Sequence, residues 1–344
     1  MQTIKHNDNN KNIHPIMDEI DKFFAMSSEI ETRQPKLVPT VFDDRFMYLN
    51  DLFTMYGGTW YDVRFTKRKY EPLKLPEYDE KNVIVCFSGG KDSLAVALIC
   101  KELGYNVYLY HLKNVNPIFD EYKAVQELAE KLELSVYIDE VTVSGHHEWI
   151  EHPMKNMIVA NGALNYGVKN NITTKIVFGN YFNGSLEYDD FAWRAGDDQE
   201  MWTAYEKIMS AVIPDFHMHF CLEDTQDTLN KVCQHKDLLD LTISCIGRAG
   251  LRDYRRSWVK DKFNIDLPKH RCGSCVKCAV EYIYMADYDL QKYSPEYYKY
   301  CLNRIQINEK RELGLKVSYK EIWDAFFGYD IEKSKYLHSQ KDVI

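Results

Sequence analysis

One short stretch limits the fold more than any other. The apolar run Val83-Ile84-Val85-Cys86-Phe87 passes through Ser88-Gly89-Gly90-Lys91-Asp92-Ser93 into residues whose apolar positions, Leu94, Ala97, Leu98 and Leu103, recur at helical spacing. A continuous apolar run of that length closed by a glycine turn reads as a buried strand, and the 3.6-residue period after it reads as a helix. Two adjacent glycines let backbone approach a ligand closely, and the turn presents N–H groups as an anion nest. The helix that follows adds the positive end of its dipole at the same place. Ser88 and Ser93 can donate hydroxyl hydrogen bonds to a phosphate, and Lys91 supplies a compact positive charge. Asp92 suits orienting the loop or holding Mg2+ better than touching phosphate. The glycine spacing is not that of the Walker loop, in which four residues separate the first Gly from a Gly-Lys-Ser/Thr unit.

The alternation continues downstream. Tyr105 to Leu112 reads as a strand, and Phe119 to Leu132 as an amphipathic helix with Val125, Leu128, Ala129 and Leu132 on one face. Val136 to Val141 is a strand, Met154 to Val168 a helix, and Thr174 to Gly179 a fourth strand. Strands alternating with helices of this length predict an α/β fold, a doubly wound parallel sheet whose ligands sit beyond the carboxyl ends of the strands, where the Ser88 loop falls. The chain divides into a polar, Asn-rich flexible lead-in (1–35), a small aromatic-rich cap (36–80), an α/β domain (81–240), a cysteine-bearing subdomain (241–286) and a helical carboxy-terminal extension (287–344). With 45% apolar and 28% charged residues the chain can bury a substantial core. No apolar run approaches the roughly 20 residues that span a bilayer, and the amino terminus has no apolar signal segment, so a cytoplasmic protein without a membrane partner is expected. A net charge of −9 argues against sequence-blind binding to nucleic acid.

The nine cysteines include Cys272, Cys275 and Cys278, spaced C-x2-C-x2-C. Tight turns of that type aim thiolates at one point, as tetrahedral zinc requires, and a structural site needs a fourth ligand. Cys245 is the first choice, with His270, Cys233 and Cys221 as fallbacks. An iron–sulfur cluster is the alternative occupant. Cys86, Cys100 and Cys301 sit in apolar surroundings and read as small core residues. Between Cys245 and Cys272, Arg248, Arg252, Arg255 and Arg256 form a basic stripe on a helix whose other face carries Leu251, Tyr254 and Trp258. That stripe reads either as a solvated face or as a grip for pyrophosphate, a phosphorylated substrate or a nucleic acid. His146-His147, His217 with His219, and the acidic run from Glu187 to Glu200 could hold a metal, but read more simply as solvated side chains.

Ser88-Gly89-Gly90-Lys91-Asp92-Ser93 resembles the PP-loop of the ATP pyrophosphatases. Joined to the carboxy-terminal C-x2-C-x2-C, it makes the chain resemble the 7-cyano-7-deazaguanine synthase family over roughly Lys81 to Met285. The resemblance implies a Rossmann-like PP-loop fold in which Ser88, Lys91, Asp92 and Ser93 act on the phosphates of ATP. Backbone around Cys86, Phe87, Gly89, Gly90 and Leu94, with Leu112 and Gly179 at neighbouring strand ends, would cradle the nucleotide. Pro153-Met154-Lys155-Asn156 occupies the place of the family's Pro-x-Arg-Asn element, and Gly196-Asp197-Asp198-Gln199 that of its Pro-Asp-Cys-Arg element. Lys155, Asn156 and Asp197 are therefore expected at the substrate. Lys155 and Gln199 stand where the family carries Arg, and Lys cannot reproduce bidentate recognition of a carboxylate. The implied activity is an ATP-dependent ligase or amidase that forms AMP and pyrophosphate. It would use Mg2+, with a structural Zn2+ on Cys245, Cys272, Cys275 and Cys278. Its substrates would be a 7-deazaguanine-like carboxylate and ammonia or an amine; a macromolecular acceptor and a homodimer stay open. Two rival readings are thiolation of tRNA or a nucleotide by a PP-loop sulfurtransferase, and a non-catalytic ATP-sensing or partner-binding protein.

Overall fold

The computed structural model of the protein describes residues 3–6, 11–18, 21, 71–113, 121–144, 155–181, 202, 205–206, 209–210, 212–214, 216–222, 225–243, 249–287 and 292–312. In chain order the elements are β1 (Thr3–His6), β2 (Asn82–Cys86), α1 (Lys91–Glu102), β3 (Asn106–Lys113), α2 (Glu121–Leu132), β4 (Val136–Ser144), α3 (Lys155–Lys169), β5 (Ile176–Tyr181), β6 (Met218–Leu222) and α4 (Thr225–Val232). A single 3-10 turn (Cys233–His235) runs into α5 (Lys236–Leu239), followed by α6 (Ala249–Phe263), α7 (Val276–Asp287) and α8 (Pro295–Glu312). Among the described residues no helix is long and apolar enough to cross a membrane. The chain forms two compact units: Met1–Ser88, Asp92–Pro117 and Leu132–Asp227 make the first, and Gly89–Lys91, Ile118–Lys131 and Thr228–Ile344 the second.

The first unit is built on a six-stranded sheet in the order β1-β4-β3-β2-β5-β6. The five strands β2 to β6 run parallel, and β1 closes one edge antiparallel to β4, with Thr3 opposite Ser144 and His6 opposite Val141. Val85 at the centre pairs with Leu109 on one side and Val177 on the other. From β2 the sheet grows through β3 and β4 in one direction and through β5 and β6 in the other. The order therefore reverses between β2 and β5, the position at which open α/β sheets leave a crevice beyond the strand ends.

Period-two alternation gives one face of the sheet Ile84, Cys86, Tyr110, Leu112, Ile176 and Phe178, which are buried with Met157, Ile158, Ala160, Ala163 and Leu164 of α3. Tyr110 carries its hydroxyl into this layer and donates it to Asp139 Oδ2 at 2.7 Å, while Glu140 N–H donates to Oδ1 at 2.8 Å, so the fully buried carboxylate is bonded at both oxygens.

The Asn-rich amino-terminal stretch, expected to be a flexible lead-in, is more ordered than its polarity suggests in the part described. Besides β1, its residues 12–18 and 21 dock on α3, and Ile16 and Met17 enter the core. The docking is polar and reciprocal. Ile13 N–H donates to Asn165 Oδ1 at 2.9 Å, Asn165 Nδ2 to Asn12 Oδ1 at 2.7 Å, and Asn161 Nδ2 to Asp21 Oδ1 at 2.7 Å. Here Asn and Asp satisfy the buried amides of a helix rather than water, which composition alone does not reveal. Of the cap expected over 36–80, residues 71–80 carry neither helix nor strand and 36–70 lie outside the described residues.

In the second unit α6, α7 and α8 share a core of Val259, Ile265, Ala279, Tyr282, Ala286, Tyr297 and Cys301. Ring pairs such as Tyr282–Tyr297 (centroids 4.4 Å apart) and Phe263–Tyr297 (5.1 Å) stitch the helices together, so Tyr297 is packing material as expected, whereas Tyr293 is exposed and the aromatic residues after 312 lie outside the described residues.

Candidate functional site

The Ser88–Ser93 loop leaves the carboxyl end of β2, on the sheet's line of reversal. Ladder pairing persists one residue past the strand, with Phe87 N–H donating to Tyr110 O at 2.7 Å. Gly89 then turns with φ +76°, a conformation other residues rarely adopt. Ser88 N–H donates to Ser93 Oγ at 3.3 Å and the two hydroxyls lie 3.3 Å apart, closing the loop onto the first turn of α1. Ser88 is exposed, Asp92 half-buried, and Lys91 and Ser93 buried.

Gly179, near the end of β5, lies directly against that first turn. A Cβ built there would sit 2.7 Å from the backbone carbon of Asp92 and 2.7 Å from the nitrogen of Ser93, closer than side chains tolerate and against atoms that cannot swing away. The glycine is what lets β5 reach the start of α1. Gly179→Ala is expected to displace the loop and to cost about 1–3 kcal/mol as an overpacked site. A fall in thermal midpoint checks this, and an unchanged midpoint would refute the steric account.

His111 is a polar residue inside the otherwise apolar middle of β3. It is buried on β3 with Nδ1 3.0 Å from Phe87 O, so the ring donates from Nδ1 to the carbonyl at the root of the loop. Burial lowers its pKa, the bond to Phe87 opposes that, and the net shift is downward, which keeps the imidazole neutral. Its signal was the interruption of the apolar run. The side chains of Cys86, Phe87, Leu94 and Leu112 are all buried, so any ligand contact there comes from backbone. Burial also pushes the Cys86 thiol well up, as suits a core residue. Asn156 is half-buried in the first turn of α3. The Lys155 side chain and all of Asp197 and Cys245 lie outside the described residues.

The cysteine group belongs to the second unit. The Cys272, Cys275 and Cys278 sulfurs all lie within 4.8 Å of one another, and no other group of three metal-ligating side chains occurs among the described residues. Cys272 and Cys278 Sγ are 3.9 Å apart. Zinc–sulfur bonds of about 2.3 Å in a tetrahedron place sulfurs about 3.8 Å apart, so the residues fit zinc. Backbone donors support the thiolates: Ser274 and Cys275 N–H point at Cys272 Sγ (3.4 and 3.3 Å) and Cys278 N–H at Cys275 Sγ (3.5 Å). Gly273, with φ +71°, makes the turn and accepts a hydrogen bond from Tyr297 OH at 2.7 Å. Of the fallback ligands, His270 and Cys233 are not members of the group. Cys221 belongs to the first unit and has its side chain outside the described residues, and Cys245, the first choice, lies outside them entirely.

Arg271 anchors the group to the rest of the unit. It is 3% exposed and donates from Nε and Nη2 to Glu281 Oε1 (2.9 and 2.7 Å), from Nη2 to Leu239 O (3.0 Å) and Thr242 Oγ1 (2.6 Å), and from Nη1 to Thr242 O. Burial alone would lower its pKa; Glu281 overrides this and the net shift is upward.

No protein-family model matches this chain, and no curated protein matches it.

Proposed function

We propose that the Ser88–Ser93 loop is a PP-loop and that the protein is an ATP-dependent ligase or amidase, forming AMP and pyrophosphate while joining nitrogen to an activated carboxylate. The observation that carries this is Gly179 pressed on the backbone of Asp92 and Ser93, which seats a glycine turn and a helix start at the reversal point of a parallel sheet. A carboxylate oxygen of the substrate would attack the α-phosphorus, and an amine would then displace AMP. Loop N–H groups, the α1 dipole and the Ser88 and Ser93 hydroxyls would hold the departing pyrophosphate, with Lys91 supplying charge; chemistry at phosphorus is governed by position and electrostatics of this kind. Mg2+, when bound, would neutralise phosphate charge, and Asp92 is the loop's carboxylate for it.

The resemblance to 7-cyano-7-deazaguanine synthases makes 7-carboxy-7-deazaguanine the first substrate to try, with Lys155, Asn156 and Asp197 as its proposed contacts. Incubation with ATP, Mg2+, ammonia and that acid is expected to yield AMP, pyrophosphate and the amide or nitrile. ATP that binds but yields no AMP with any carboxylate offered would favour a sensing or partner-binding role. The three-thiolate group favours a second reading, thiolation through an iron–sulfur cluster. Stoichiometric zinc without iron or labile sulfide would count against it.

A further inference from the structure

We propose that Arg252 and Arg256 of α6, with Lys269 and His270 of the turn before the cysteines, form a binding site for a compact phosphate-type oxyanion. These residues are distinct from the Ser88–Ser93 loop, and the inference does not depend on the ATP chemistry proposed for it.

Arg252 is 6% exposed, and among the described residues its Nε has no hydrogen-bond partner and its guanidinium forms no ion pair. A guanidinium cannot shed its proton inside a protein, so a buried Nε–H left without an acceptor carries a desolvation cost. His270, 8% exposed, likewise keeps a buried Nδ1 with no partner among the described residues. Two neighbouring polar side chains, each more than nine-tenths buried, thus have unused hydrogen-bonding capacity.

Their placement follows from the helix. Arg252 and Arg256 stand one turn apart on one face of α6. Arg256 donates from Nη1 to the Lys269 carbonyl, which brings the Lys269–His270 turn onto that face. The positive groups acting on His270 are Arg252, Lys269, Arg271 and Arg256. Arg271 is matched by Glu281 at 2.7 Å and Arg256 by Asp253 at 3.1 Å. Among the described residues Arg252 and Lys269 are left uncompensated. Two unmatched cations suit a dianion, and guanidinium N–H groups suit phosphate oxygens. The burial of Arg252 and His270 favours a small free anion over the backbone of a polymer.

The full-length protein is titrated calorimetrically with inorganic phosphate in chloride buffer, beside Arg252→Met and Lys91→Ala. A phosphate site that persists in Lys91→Ala and is weakened at least about tenfold in Arg252→Met is expected, as loss of a charge-assisted contact implies. In phosphate-free buffer Arg252→Met is expected to melt at or above the wild-type temperature, because an unmatched buried charge is gone. Added phosphate should then raise the wild-type midpoint by mass action and leave the variant unmoved. Absence of phosphate binding at millimolar concentration overturns the proposal. So does an Arg252→Met protein that melts well below wild type without phosphate, which would reveal a structural carboxylate partner. Binding lost in Lys91→Ala and kept in Arg252→Met would put the anion on the loop instead. A short single-stranded RNA that binds through Arg252 while free phosphate does not would replace the small anion with a polymer.

Discussion

Glu281→Ala is expected to lower the stability of the cysteine-bearing unit by about 3–5 kcal/mol, the range for stranding one member of a buried ion pair. Glu281 is 2% exposed and Arg271 3%, so the guanidinium left behind cannot reach water without unfolding its surroundings. The pair itself is not a large net stabiliser, since two desolvated charges repay little beyond their own burial. The cost comes from the asymmetry of removing one. Arg271→Met with Glu281→Leu should therefore be markedly more stable than Glu281→Ala alone, and a double-mutant cycle in urea measures the difference. A loss below about 1 kcal/mol in the single variant would mean that water or another acid reaches Arg271. The disturbance should also reach the metal ligands, because Arg271 directly precedes Cys272 and its other donors bind Leu239 and Thr242. Weakened metal retention in Glu281→Ala is the accompanying readout.

Some of this architecture was legible in the sequence because the relevant physics is local. The apolar run of β2 and its glycine turn announce themselves within a dozen residues, and C-x2-C-x2-C is a spacing whose geometry is its chemistry. What escaped is set by partners far along the chain. β4 runs on to Ser144 rather than ending near Val141, because β1 pairs with residues 141–144 and nothing near Val141 reports that edge. β6 was missed: Met-His-Phe-Cys-Leu looks like a half-polar segment until it pairs with β5, where His219 lies opposite Val177. The strand order, which puts the loop at a reversal, was likewise an inference from fold class and not from any residue. Arg271 and Glu281 were not singled out, because isolated charges ordinarily mark surface and only burial makes these two matter. His111 is the same lesson beside the loop. The fourth metal ligand was not fixed because closure of a tetrahedron by a distant residue leaves no local spacing to read. Of the expected basic stripe, Arg252, Arg255 and Arg256 lie on α6, and Arg248 lies outside the described residues. Which of its arginines is buried and uncompensated could come only from packing.

The largest effect is expected from the metal. Purified protein should carry one zinc per chain, and Cys278→Ser or exhaustive chelation should unfold the cysteine-bearing segment. Apparent binding energies for structural zinc run to about 10–16 kcal/mol, and in such sites binding energy is folding energy. Apart from Arg271 and its bonds to Glu281, Leu239 and Thr242, the thiols themselves supply little apolar packing. Cys272 and Cys278 are buried with Cys275 packed against them, a cluster of thiols too small to form a core. The turn at Gly273 is held by one hydrogen bond from Tyr297, and a Cβ there would meet Leu267 Cδ1, Tyr297 OH and Val259 Cγ2. Loss of the metal should therefore spread along Tyr297 into the shared core of α6, α7 and α8, of which Tyr297, Val259 and Cys301 are members. Near-ultraviolet dichroism of the tyrosines in that core, followed during chelation and again on return of zinc, reads this directly. Because ligands must be thiolates, retention should also weaken as pH falls, with protons released when zinc rebinds. A chelated protein whose aromatic signal and thermal midpoint match the untreated one would show that the three thiols are only packed together, and would remove the metal from the site.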